Sequence, residues 1–163
     1  MNPHIKKFED FRTDILSGLG INNMWNSGKN LPYLRYADVL LSHAECLNEL
    51  GKTAEAVELV NNTVRRRAWG GSLPESARWS ASMTQEQFRS QIMDERMREL
   101  CFEGWRRMDL IRTGKFVELV KQRNRWAHES NTIQQFNVRY PIPDTEIKTN
   151  EAFTEDDQNE GYK

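Results

Sequence analysis

Cysteine, histidine and long apolar runs are all scarce in this chain. Two cysteines, Cys46 and Cys101, in 163 residues exclude a disulfide framework and lack the spacing of a zinc site. The three histidines, His4, His43 and His128, never fall at metal-ligand spacing, so no metal site is expected. The longest strictly aliphatic runs are three residues, as in Val39-Leu40-Leu41, against the roughly 20 that a membrane-spanning helix needs. No basic start leads into an apolar stretch, so no secretion signal is expected in this sequence. A net charge of −1 excludes a generally basic nucleic-acid binder. Trp69-Gly70-Gly71-Ser72 lacks the lysine and preceding strand of a phosphate-cradling loop, and nothing else points to a cofactor.

Charge of both signs is abundant, at 29% of residues, and its distribution is uneven. Positions 61–125 hold fourteen Lys/Arg against eight Asp/Glu, whereas positions 141–163 hold seven acids against two lysines. Such a basic surface could meet an acidic partner. The simpler expectation is that the acidic tail lies back over the basic helices and the two cancel.

Helical periodicity dominates. Asn2-Pro3 can start a first helix whose Ile5, Phe8, Ile15, Leu16 and Leu19 form one stripe, followed by a loop containing Trp25. Pro32 opens a second helix running to about Leu50. Tyr33, Ala37, Leu40, Ala44 and Leu47 make one apolar face, and Tyr36, Val39, His43, Cys46 and Leu50 a second. A helix apolar on two sides packs between neighbours, and His43 is read as a core residue. Without further helices to cover one side, an exposed apolar strip and self-association are expected. Gly51 ends this helix and Thr53 caps the next, whose inner side is Ala54, Val57, Val60, Asn61, Val64 and Ala68. The short connection forces an antiparallel hairpin, and Ala44, Leu47, Gly51, Ala56 and Val60 fall at tetratricopeptide intervals. Thr84 with Gln87 is a capping-box start for a fourth helix. Trp105 to Arg112 and Lys115 to about Arg125 follow as shorter helices, then Tyr140-Pro141-Ile142-Pro143 forces an extended path. The end of the chain is too polar to order itself unless it docks. The fold class is therefore all-α: tetratricopeptide-like hairpins with irregular loops and an extended C-terminal tail.

The most unusual stretch runs from Asp94 to Arg112. Glu95, Glu99 and Glu103 sit four apart, stacking three carboxylates along one ridge that repel unless cations intervene. Arg96, Arg106, Arg107 and Arg112 are close in sequence, and Arg65 and Arg67 can reach across the hairpin. An enzyme would use two such carboxylates as acid and base. The expectation is instead a structural Arg–Glu lattice of Arg65, Arg67, Glu95, Arg96, Glu99, Glu103, Arg106, Asp109 and Arg112, fixing helix register. Fifteen arginines against eight lysines suit bidentate pairing. No catalytic residue is assigned, and Cys46 and Cys101 read as inert thiols on buried faces. Trp69 and Trp79, at the two ends of a Gly/Ser/Pro loop, are the candidate ligand contacts, since a sugar ring can stack on an indole; the competing outcome is that they fold onto the core.

Four blocks in order resemble a known family. They are Leu34-Arg35-Tyr36-Ala37-Asp38-Val39-Leu40-Leu41 with Ala44-Glu45 and Asn48-Glu49-Leu50-Gly51; Ala56-Val57 through Val64-Arg65-Arg66-Arg67-Ala68; Glu95-Arg96 through Asp109-Leu110-Ile111-Arg112-Thr113-Gly114; and Tyr140-Pro141-Ile142-Pro143 with Gln158-Asn159 and Gly161-Tyr162. Together they resemble the C-terminal part of the SusD/RagB family of outer-membrane nutrient-binding lipoproteins. Two details depart from the family pattern: Asn150 is followed by Glu151 rather than Pro, and Glu155-Asp156-Asp157 precedes Gln158.

The resemblance divides the chain into an N-terminal helix and loop, 1–30, and a SusD/RagB-like C-terminal region, 31–163, read as a fragment of a longer protein. It implies a non-enzymatic, surface-facing protein of the outer membrane, lipid-anchored at full length. Its implied partners are a SusC-type TonB-dependent transporter and an oligosaccharide or polysaccharide ligand. The alternative is a stand-alone tetratricopeptide adaptor whose groove binds a partner peptide.

Overall fold

The computed structural model describes residues 7, 30 and 32–163. Apart from Lys7, the helix expected over 2–20 and the loop carrying Trp25 lie outside the described residues. The protein is all-α: helices joined by turns, with no strand among the described residues.

Helix α1 is Tyr36–Glu49. Its start is later than Pro32 because Arg35 is extended (φ −118°, ψ 151°), with its side chain drawn to Glu99 and Glu103. Ala37, Leu41, Ala44 and Asn48 are buried, with Leu40 and Leu47 packed beside them. The helix ends in a Schellman turn: the Gly51 N–H donates to the Asn48 carbonyl and the Lys52 N–H to the Leu47 carbonyl. Gly51 sits at φ +77°, a conformation that costs a residue with a Cβ roughly 1–2 kcal/mol.

That turn reverses the chain into α2, Thr53–Val60, which widens through a π-turn at Asn61–Arg65 and closes with Arg66–Ala68. Thr53 is the first helical residue rather than the cap, and its hydroxyl donates to Asn48 Oδ1 at 2.8 Å. The inward residues are Ala56, Val57, Val60, Asn61 and Val64, while Ala54 and Ala68 are exposed. The π-turn shifts the helical phase after Val60, which turns Ala68 outward.

Thr84 caps α3, Gln85–Glu99, in a reciprocal capping box with Gln87. Phe88 and Ile92 enter the α1–α2 hairpin, and Phe88 is fully buried, so truncating it to Ala costs about 3–5 kcal/mol. Asn48 joins the three helix ends: its amide donates to the Gln85 carbonyl, and Gln85 Nε2 returns a bond to the Asn48 carbonyl at 2.7 Å. Helices α4, Trp105–Arg112, and α5, Phe116–Arg123, build a smaller second core with Met93 of α3, on Leu110 and Phe116, and α6, Arg125–Ser130, follows them. A short α7, Asp144–Thr149, precedes the tail.

The tail docks, but not where the charge balance suggested. Among the described residues no ion pair joins an acid of 141–163 to a base of 61–125. The basic helices instead find carboxylates on α1 and α3, which are nearer and better aligned. The tail closes on the strip just before it. Gln158 exchanges two hydrogen bonds with the Ile142 backbone at 2.8 and 2.9 Å, and Asn159 donates to the Tyr140 carbonyl at 2.7 Å. Tyr162 packs edge-on against Phe136 and donates to the Arg139 carbonyl. At Gly161 (φ +84°) a Cβ would overlap the Phe136 ring, so only glycine brings the tail this close.

Candidate functional site

The 3.6-residue helical repeat sets Glu95, Glu99 and Glu103 along one side of α3 and the turn that follows it. Arg65 Nη1 reaches Glu95 Oε2 at 2.8 Å, and Arg98 donates to the same oxygen. Arg67 Nη2 reaches Glu99 Oε2 at 2.5 Å. Arg35 Nε donates to both Glu103 oxygens at 2.9 Å, while its Nη2 bonds Glu99 Oε1 and the Glu99 carbonyl. Lys7 Nζ pairs with Glu103 as well. Burial opposes ionisation of Glu103, but the bonds from Arg35 and Lys7 outweigh it and hold the carboxyl below its ordinary value. The bond to Glu103 likewise raises the Arg35 guanidinium against the opposing effect of burial.

A second group surrounds Arg96, whose side chain is 4% exposed. Its Nε donates to Asp109 Oδ2 at 2.8 Å, its Nη1 to Ser42 Oγ at 3.2 Å, and its Nη2 lies 2.7 Å from Asp38 Oδ1. Asp109 also accepts from Arg112, which forks onto both oxygens of Glu45 at 2.7 and 2.8 Å. The Glu45 and Asp109 bonds raise the Arg112 guanidinium well above its ordinary value, against burial. One arginine thus ties α1, α3 and α4 together.

Arg106 is the exception among the expected lattice members. Its Nη1 donates to the Met93 carbonyl at 2.8 Å rather than to a carboxylate, and burial lowers its pKa. The α1 partners Arg35, Asp38 and Glu45 were absent from the expected set. Their signal was present in sequence: Arg35, Asp38, Ser42, Glu45 and Glu49 recur every three or four residues as a polar stripe between the two apolar faces. That stripe meets α3 in antiparallel order, from Arg35 with Glu99 to Glu49 with Arg89.

Trp79 is not available to a ligand. It is 9% exposed, packs edge-on against Phe88 at 5.8 Å and lies under the Arg65 guanidinium. Buried Asn61 fixes it there by donating to the Trp79 carbonyl and accepting from its N–H, at 2.9 and 3.0 Å. A core that must bury a large indole has captured it, the alternative outcome for a loop tryptophan. Trp69 is 54% exposed at the end of α2. Cys46, Cys101 and His43 are exposed rather than buried. Cys46 and His43 sit on the outer stripe of α1 with exposed Tyr36, Val39 and Leu50, turned away from α2 and α3. Cys101 falls in the turn beyond α3.

Among the described residues two hollows stand out. The larger, about 530 Å³, has Phe88, Ile92, Met93 and Leu119 among its lining and a rim of paired charges such as Arg123–Asp94 and Arg112–Glu45. The smaller, about 350 Å³, lies between α4, α6 and the docked tail. Among the described residues no three His, Cys, Asp or Glu side chains are placed to hold a metal, and no helix is long and apolar enough to cross a membrane. The ridge carboxylates Glu95, Glu99 and Glu103 are each paired with cations among the described residues.

Comparison with known proteins places this geometry. The chain is 37% identical over 143 residues to SusD-like protein P25 of Formosa agariphila, covering 85% of this chain and 26% of that protein. It is 33% identical over 149 residues to SusD-like protein P2 of the same organism, covering 91% of this chain and 28% of that protein. With the starch-binding protein SusD of Bacteroides thetaiotaomicron identity is 28% over 164 residues, 98% of this chain and 26% of that protein. The chain therefore spans about a quarter of the length of these relatives. No solved structure matches it. The model of the SusD family matches residues 2–162, nearly end to end, and the chain belongs to that family.

Proposed function

We propose that this chain is the C-terminal part of a glycan-capture protein of the outer-membrane surface, lipid-anchored at full length and working with a SusC-type TonB-dependent transporter. In this reading residues 31–163 are the SusD/RagB-like region, which binds and scaffolds but makes and breaks no bonds. The observation that carries it is the family match across residues 2–162. Two further points support it. A relative matched along 98% of this chain is a starch-binding protein. The ridge carboxylates are committed to arginines, as a scaffold requires. Of Trp69 and Trp79, Trp69, exposed at the end of α2, is the indole that can still stack on a sugar. Family membership favours this reading over a free-standing adaptor.

The test is to express the longer protein and measure retardation in gels containing soluble starch, laminarin, xylan or alginate, alongside a reducing-end assay. Retardation by at least one glycan with no new reducing ends is expected. Release of products from the bound glycan sinks the proposal, as does failure to bind any of the four.

A further inference from the structure

Arg107 extends from the first turns of α4 between two aromatic rings, with its guanidinium 4.6 Å from the Phe116 centroid and 4.2 Å from that of Tyr140. Its Nη2 donates to the carbonyls of Asn137 and Val138, at 2.8 and 3.2 Å. Its Nε and Nη1 take no acceptor among the described residues. Tyr140 packs on this cation yet remains 70% exposed. The docked tail supplies the opposite wall: Tyr162, its hydroxyl held by Asn137 and Arg139. Arg107, Asn137, Tyr140 and Tyr162, with Ala127, Thr132 and Ile133, line the 350 Å³ hollow, and no carboxylate is among them.

This composition is selective. A ring held rigid by a cation loses little entropy when a second flat object covers it. Uncommitted guanidinium donors beside such a ring seek hydroxyl oxygens around the edge of whatever stacks there. An apolar peptide side chain would leave those donors buried and unpaired, which is costly. A pyranose ring offers both an apolar C–H face and equatorial hydroxyls. The volume lies at the small end of ligand pockets, which span about 300–1,000 Å³.

We propose that the hollow between α4, α6 and the docked tail is a saccharide subsite, in which a pyranose ring packs against Tyr140 and Tyr162 and its hydroxyls accept from Arg107. The subsite rests on the glycan-capture reading and gives it a location on this chain. It also gives the tail a role beyond stability, since the Gly161–Phe136 closure sets the Tyr162 wall.

The longer protein is titrated by calorimetry with oligosaccharides of whichever of the four glycans retards it. Tyr140→Ala is expected to weaken binding about tenfold, the loss of one aromatic stack, while Tyr140→Phe stays within about twofold of the parent. Thr132→Trp, an exposed position that fills the hollow without touching the core, is expected to weaken binding as much as Tyr140→Ala. Melting temperatures report that each variant is folded. Parent-like affinity in both Tyr140→Ala and Thr132→Trp overturns the subsite and leaves glycan capture standing. A parent protein that binds none of the glycans overturns both.

Discussion

Replacing Arg96 with Met removes the cation that joins three helices and takes a partner from Asp38, Asp109 and Glu45, the last of which keeps Arg112. Asp38 and Asp109 have side chains 10% and 4% exposed, so neither can recover full hydration where it stands. Arg112 still reaches Asp109, but only from its Oδ1 side, and Asp38 has no other cation among the described residues. Stripping one partner from a buried charge cluster costs about 3–5 kcal/mol. Urea unfolding followed by far-ultraviolet circular dichroism reads this directly. With a slope of about 2 kcal/mol per molar, the midpoint falls by roughly 1.5–2.5 M. The same substitution at Arg123, whose 2.5 Å pair with Asp94 is solvent-exposed, is expected to cost about 1 kcal/mol or less. Removing the charges together, as Arg96→Met with Asp38→Leu and Asp109→Leu, is expected to recover most of the loss, because no ion is then left unpaired. If Arg96→Met costs no more than Arg123→Met, the lattice does not hold the helices and the structural reading of the ridge fails.

Other outcomes follow from the same geometry. Glu103 is held below its ordinary value of 4.5, so its contribution to stability is complete above that pH and is lost as pH falls through its lower folded value. The urea midpoint should therefore drop on acidification below about pH 4.5, and Glu103→Gln should flatten part of that drop; an unchanged profile contradicts the assignment. Gly161→Ala is expected to undock the tail, opening 150–163 to limited proteolysis while the helices resist; protection equal to the parent's argues against the Phe136 closure. The outer stripe of α1 predicts self-association of the 163-residue chain in sedimentation velocity, suppressed by Val39→Lys. A single monomer boundary at high concentration refutes it.

Determined by the sequence alone were the features whose causes are local. The Gly51 turn, the Thr84–Gln87 box and the helix of Trp105 to Arg112 depend on residues within a turn or two of each other, and all stand where periodicity puts them. The four-residue spacing of Glu95, Glu99 and Glu103 likewise fixed that these acids share a ridge and need cations. Which cations answer was decided in three dimensions. A guanidinium at the end of a flexible stem bonds whichever acceptor packing brings near, so Arg106 turned to a backbone carbonyl and Arg35, outside the helix, took two of the glutamates. Packing also settled the aromatics: Asn61 on α2 holds Trp79 inside, while Trp69, at the end of that helix, stays 54% exposed. The tail's place was decided by shape over charge. Its acids carry the composition, yet Gln158, Gly161 and Tyr162 dock it, because short-range hydrogen bonds and ring contact discriminate between surfaces where screened charge does not.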